Sequence, residues 1–484
     1  MSPREATNAT DFGPTKELSK WIASVQLEDI PEDIRVRAKY IILDGLACGL
    51  MAAHLPTCEK AVKALAALEP ADGGDAVLFG WGGKKVTPLT SALLNGTFIQ
   101  GFELDDWHSE APLHSNSIVL PALLAAGQHL QKERAVSGPQ FLLATLVGFE
   151  VGPRVGRGLH GAHILSTGWH SGAVFGPSAS AASVTKLLGL DAVGVEDALG
   201  IACTQACGLM SAQFESEVKR MQHGFASRSG LMAAFLARGG YIGIKNVYER
   251  EYGGFLKQFS GGNGKTPQYL PEEVSKGLGT TWQTNSIRIK PYACVAAVHG
   301  AIDCVRLLQQ RYPARFQPAA VQDIRKIHIQ SAPVNFHHGG WKAARPLTNT
   351  GAQMSATFAA ATQIIHRQVL AAQFSTEMLE NDEVWKLVDL SDCELAPDYP
   401  HGQHQVTITF ADGTSASQLL KNSRGVLPPL TNEEIVEKWR NLTKDIMDPE
   451  AVKEIEEIVL SMDTLEDISP LYQLLSSKTT NSIA

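Results

Sequence analysis

From Pro31 onward, apolar or small residues recur at Ile34, Ala38, Ile41, Gly45, Leu46 and Gly49, the spacing of one helix face, and the glycines leave room for a second helix to approach closely. Pro31 suits the start of such a helix, where its missing N–H leaves no bond unmade. The same recurrence predicts helices over about 87–103, 117–131, 138–152, 171–188, 195–209 and 224–240, joined by loops rich in Gly, Ser and His. Alternation with a period of two appears only later, at 286–290, 323–330 and 405–410, and Ala411-Asp412-Gly413 after the last of these reads as a hairpin turn. The glycine-rich stretch 253–264 breaks both periods and is expected to link the helical part to an α+β part starting near residue 270. Past Pro428-Pro429 the helical spacing returns at Val452, Ile455, Val459 and Met462. The expected fold is therefore mainly α. A large, discontinuous all-helical domain is formed by residues 1–268 and the C-terminal helices of 416–484, with a smaller α+β lid domain inserted at 269–415.

Composition narrows the class. With 484 residues, 44% of them hydrophobic and 19% charged, the chain can bury more than one globular core. Its formal charge of −8 is matched by residues 431–467 alone, which carry 12 acids and 4 bases, so the rest of the chain is balanced. Such a run reads as a solvated helix face, and no basic surface for nucleic acid is expected. The most membrane-like stretch, Tyr40 to Leu55, is interrupted by Asp44 and falls short of the roughly 18 apolar residues of a span, so no membrane association is expected. Seven cysteines without a CxxC pair read as reduced thiols, without structural zinc. The N-terminal MSPREATNATDFGPT lacks an apolar core and the final Ser-Ile-Ala is not a peroxisomal signal, which leaves the cytoplasm as the expected location.

Three familiar motifs fail on context. Gly156-Arg-Gly-Leu-His-Gly161 has the spacing of a dinucleotide fingerprint, but the residues before it read as helix and no strand aims it. Gly264-Lys265-Thr266 lacks the earlier glycine of a phosphate loop, whose place is taken by Phe259, and Gly176-Pro-Ser-Ala-Ser180 ends in Ser where a nucleophile elbow needs Gly.

Titratable groups concentrate in three segments between helices: Glu103-Leu-Asp-Asp-Trp-His-Ser-Glu-Ala-Pro-Leu-His114, Thr167-Gly-Trp-His170 and Lys219-Arg-Met-Gln-His223. Histidine suits proton transfer near neutrality, while Lys219 and Arg220 suit an anionic substrate, so the set fits a small polycarboxylate. Plainer readings stand beside this one. Asp105 or Asp106 would equally cap a helix or pair with an arginine, and His223 would equally be a packing histidine. A metal held by His108, His114 and Asp105 matches no zinc spacing with a clear rationale.

At these segments the sequence resembles the MmgE/PrpD family, and within it the fungal branch that decarboxylates cis-aconitate. The resemblance is carried by ELDDWHSEAPLHS, GWHSGAVFG, EDALGIACTQACGLMSAQ, VKRMQHGFASR and ISPLYQLL, and extends over about residues 15–476. It implies a helical domain with a smaller lid domain, a homodimer, a tricarboxylate substrate, and catalysis without metal or organic cofactor. It also implies release of CO2 from cis-aconitate with an allylic shift to itaconate, the alternative being a 2-methylcitrate dehydratase-like lyase or isomerase. The resemblance places catalytic roles on His114, His170, Lys219 and Asp105. Glu103, Asp106, His108, Arg220 and His223 are expected to bind substrate. Two departures from the family pattern are Trp107, where distant members carry Thr, and a lid tyrosine without an alignable counterpart among Asn335, Phe336, His337 and His338.

Overall fold

The computed structural model describes residues 12–71, 73–212 and 216–483. Most of the N-terminal leader reading, on residues 1–11, lies outside the described residues. The chain divides into two units, one containing 12–101, 105–287 and 432–481, the other 102–104, 288–431 and 482–483.

The first unit is helical. Its long helices are Glu32–Ala52, Pro88–Ile99, Ser115–Leu130, Gly138–Gly158, Ser171–Leu188, Ala192–Cys203 and Gln222–Arg238. Helix Gln222–Arg238 packs on Ser171–Leu188, Pro88–Ile99, Ala192–Cys203 and Ser115–Leu130. Helices buried on every side must be apolar or small all round, and Ser171–Leu188 is, with only Lys186 and Leu188 short of full burial. Missing side chains set the closest approaches. A Cβ on Gly96 would meet the Cα of Gly224 at 2.9 Å, and one on Gly45 would meet the Asn116 side chain at 2.5 Å. Asn116 uses that proximity to donate to the carbonyl of Ile41.

The helical unit continues past the expected boundary at 268. Glu150, buried in helix Gly138–Gly158, accepts from the backbone N–H groups of Gln283 and Thr284 and from the Thr284 hydroxyl. Arg154, one turn on, donates to the carbonyls of Lys276 and Thr281. These two side chains tie 276–284 to the helices, and residues 283–286 form a 3-10 turn, so the strand expected over 286–290 shrinks to Ile287–Arg288. The expected linker 253–264 contains the short helix Phe255–Phe259, whose Phe255 and Leu256 are buried. The GxGxxG match at 156–161 lies at the end of helix Gly138–Gly158, with no strand leading into it.

The second unit is built on a four-stranded sheet in the order Ser391–Leu395, Ile324–Ser331, His404–Phe410, Ser415–Leu420. Ser391–Leu395 pairs parallel to Ile324–Ser331 and the other pairs are antiparallel, with Ile327 opposite Ile408 and Thr407 opposite Ser417. His404–Phe410 alternates buried and half-buried residues, as its sequence predicts, and the hairpin after it turns through Gly413 at φ 79°. The unit therefore runs beyond the expected limit at 415, because Ser415–Leu420 is needed to pair that strand. Helices His299–Arg311 and Ala356–His366 pack against each other, the first also on the sheet.

No single helix among the described residues is long and apolar enough to cross a membrane. Asp44, which interrupts the apolar run, lies wholly buried in helix Glu32–Ala52, 2.6 Å from the Lys438 ammonium. Lys438 belongs to helix Asn432–Thr443, in the acidic segment whose Glu433 and Glu437 face solvent, and it is the basic residue there that turns inward. Breaking a buried pair strands a charge, so Lys438→Met should lower unfolding stability by about 3–5 kcal/mol, and Asp44→Asn with Lys438→Met should recover much of it. Denaturant titration of parent, single and double variants checks this. A single variant as stable as the parent contradicts it.

Candidate active site

The site is assembled where three chain segments of the helical unit enter helices. The first segment, 105–114, leads into helix Ser115–Leu130. Asp106 accepts from the Ser115 N–H with one carboxylate oxygen (2.8 Å) and from the Asn116 N–H with the other (3.1 Å), satisfying amides that have no partner inside the helix. Burial and the adjacent Asp105 push the Asp106 carboxyl up to about 7, against His114 and the Asn116 amide. Asp105 is buried as well, and its carboxylate lies 2.9 Å from Nδ1 of His114, whose side chain remains 20% exposed. His108 is turned into its own loop, where Nδ1 accepts from the N–H groups of Glu110 and Ala111 while its backbone N–H donates to Leu113.

His170 occupies the corresponding position before helix Ser171–Leu188. Its Nδ1 accepts from the Ala173 N–H at 3.3 Å, and its own N–H donates to the Gly208 carbonyl. Burial, with His114 as a second cause, holds its pKa down at about 3. The ring is therefore neutral near physiological pH, with its proton on Nε2.

The third segment is the 3-10 turn Glu217–Met221 leading into helix Gln222–Arg238. It carries Lys219 and Arg220, both buried. Arg220 donates to the Gln100 carbonyl, and burial lowers its pKa to about 10, with Asp105 opposing the shift. One turn on, His223 is fully buried, its ring centroid 4.8 Å from that of His114 and 5.1 Å from that of His170. Glu103 belongs to the second unit, where its carboxylate pairs with Lys290 at 3.0 Å.

The sequence-predicted residues Asp105, Asp106, His114, His170, Arg220 and His223 are thus linked by hydrogen bonds, ring contacts or charge. His108 and Asp106 bond to backbone amides. Two contributors were not anticipated. Ser117 bridges His114 and His223, and Gly172 faces His223 so closely that a Cβ would lie 2.1 Å from Nε2. The only sequence signs of either are that Ser117 follows His114 by one helical turn and Gly172 follows His170 by two residues.

One atom each of Asp105, His114 and His223 lies within 4.8 Å of the others, so these three could hold a metal ion, rather than the set containing His108. Tetrahedral zinc with ligands at about 2.0–2.1 Å would bring them closer together, and the Asp105 carboxylate already bonds His114. What the arrangement offers directly is proton chemistry. A buried carboxylate orients one histidine, a second histidine is a neutral N–H donor, and the Arg220 guanidinium lies within electrostatic reach of that carboxylate.

A helical unit carrying this set is the frame of a general acid–base enzyme for anionic substrates. Residues 16–268 match the MmgE/PrpD N-terminal domain and residues 292–464 the MmgE/PrpD C-terminal domain, and the chain belongs to this family. It is 47% identical over 481 residues to the cis-aconitate decarboxylase-like protein oryM of Aspergillus oryzae, covering 98% of this chain and 99% of that one. Identity to the cis-aconitate decarboxylase of Aspergillus terreus is 45% over 485 residues, 98% of both chains. Identity to the human cis-aconitate decarboxylase is 24% over 480 residues, 97% of this chain and 96% of that one.

The Asp106 shift makes a pH prediction. Its folded pKa, about 7, lies well above the ordinary aspartate value, so the folded state holds this proton more tightly. The resulting stability is present in full below the unfolded value and is lost as pH rises through the folded one. The stability of the parent relative to Asp106→Asn should therefore fall between about pH 4 and pH 7 and level off above that range. Chemical denaturation across that range measures it, and a gap that widens with pH would mean that the helix amides outweigh burial.

Proposed function

We propose that the protein is a cis-aconitate decarboxylase that forms itaconate. The observation that carries this reading is the contrast between two helix-start histidines, one paired with a buried carboxylate and one held neutral, with Arg220 within electrostatic reach of that carboxylate. Near full-length similarity to proteins bearing that name supports the choice of substrate.

The chemistry follows from the groups present. Breaking the C–C bond to the carboxylate on the CH2 group releases CO2 and leaves the electron pair in an allylic system, conjugated with the carboxylate at its far end. A proton delivered to the far carbon completes itaconate, so no external electron sink is needed. Lys219 and Arg220 supply positive charge for a trianionic substrate and for the charge that shifts during reaction. His114 is the proton donor, because Asp105 orients the ring through Nδ1 and supplies a counter-charge for the imidazolium form. His170, neutral with Nε2–H, binds a substrate carboxylate. Asp106 and His108 act as positioning residues in this reading, each holding backbone of the loop that carries Asp105 and His114. The second unit, in which the Glu103 carboxylate pairs with Lys290, is read as the inserted lid domain of the family. The enzyme is taken to be a cytoplasmic homodimer with no nucleic-acid or membrane partner.

The test is a product assay by NMR with cis-aconitate, citrate and 2-methylcitrate. Itaconate and CO2 from cis-aconitate are expected, whereas turnover of 2-methylcitrate alone would replace this reading with a dehydratase. His114→Gln should lower kcat about 10²- to 10⁴-fold, the usual contribution of a general acid. His170→Gln should mainly raise KM and leave the shape of the profile unchanged from about pH 5 to 9, because His170 gains its proton only near pH 3. The reverse assignment of effects would exchange the two roles. Catalysis is also taken to need no metal, so prolonged chelation should leave turnover intact; loss that one divalent ion restores would point instead to Asp105, His114 and His223 as its ligands.

A further inference from the structure

The Ser117 hydroxyl lies between two histidines from different helices and has a single proton to give. It donates that proton to the His114 carbonyl, one turn back along helix Ser115–Leu130, at 2.9 Å. The same oxygen is 2.9 Å from Nδ1 of His223. With the hydroxyl proton already committed, that contact is a hydrogen bond only if His223 is the donor, so neutral His223 carries its proton on Nδ1 and a lone pair on Nε2. His170 has the opposite tautomer, since its Nδ1 accepts from the Ala173 N–H. The two rings lie 5.1 Å apart at 55°, one with an Nε2 proton and the other with an Nε2 lone pair.

We propose that Ser117 is a positioning residue of the reaction site, fixing the tautomer of His223 and tying its ring to the backbone of His114, so that His223 spaces the ring of His114 from that of His170. The other side of the ring is closed by Gly172, where a side chain has no room. His223 is completely buried, which suits a spacer between those two rings better than a group that meets substrate. Through Ser117, a movement of His223 is transmitted to the residue that begins helix Ser115–Leu130.

The tautomer is read without any assumption about the reaction; only the kinetic consequence rests on the decarboxylase reading. Ring-nitrogen NMR of the full-length protein, with the His223 signals assigned by their loss in His223→Gln, should show Nδ1 protonated in the parent. Ser117→Ala should move the proton to Nε2 wholly or in part, while Ser117→Thr, which keeps the hydroxyl, should retain the parental pattern. Turnover of cis-aconitate should fall about tenfold in Ser117→Ala with little change in KM, the size of one net hydrogen bond, and Thr should restore it. A parent protein with Nε2–H on His223, or an alanine variant with the parental tautomer, overturns the proposal; the first measurement needs no variant to fold. If the tautomer responds as expected but none of the proteins decarboxylates cis-aconitate, the positioning role stands and the choice of reaction falls.

Discussion

Four carboxylates in the helical unit, those of Asp44, Asp105, Asp106 and Glu150, are completely withdrawn from water, and much of the surrounding structure compensates for them. An unpaired charge in a protein interior is too costly to persist, so each acid must find a cation, a set of donors or a proton. Asp44 has Lys438, which the C-terminal helix Asn432–Thr443 delivers from nearly four hundred residues away in sequence. Asp105 has His114, and lies within electrostatic reach of Arg220 and Lys438. Asp106 has two amides at the start of a helix, where the peptide dipoles favour negative charge. The buried acids thus explain why the C-terminal segment has to return to the first part of the chain, and why cationic side chains are drawn inward in a unit whose surface is acidic.

How much of this was legible in the sequence depended on how local each signal was. The long helices were visible because apolar recurrence is a property of neighbouring residues, and strand His404–Phe410 was visible for the same reason. Strand Ser391–Leu395 is only five residues long, and its place beside Ile324–Ser331 is a long-range pairing that its own residues do not announce. Residues 269–287 look like the start of a new domain when read locally. Glu150 and Arg154 reverse that reading, because a buried acid and a buried arginine can be satisfied only by bringing distant backbone groups to them.

The same limit applies at the site. Histidines, acids and cations between helices marked the region, since such groups seldom gather in loops without a chemical reason. Their division of labour was hidden, because it is set by partners and burial rather than by residue type. Lys438 reads as one base within an acidic run, and its inward turn is dictated by Asp44. Ser117 and Gly172 are ordinary residues for helices, and their importance arises from the angle at which His223 arrives from another helix.

His114 and His170 show how far local context separates identical side chains. Each immediately precedes a helix, where backbone N–H groups need acceptors. His170 meets that demand with its own ring: Nδ1 accepts an amide proton, while burial, with His114 as a second cause, pushes protonation far below neutrality. At the other helix Asp106 takes the amides, which leaves the His114 ring to bond Asp105. The adjacent acids therefore have separable tasks, one neutralising the helix end and the other orienting the histidine. Exchanging the acid at 106 for a residue that cannot cap would leave His114 as the nearest acceptor for those amides, and a ring turned toward them would be lost to Asp105. The chemical difference between the two histidines is thus maintained by a carboxylate that bonds to neither.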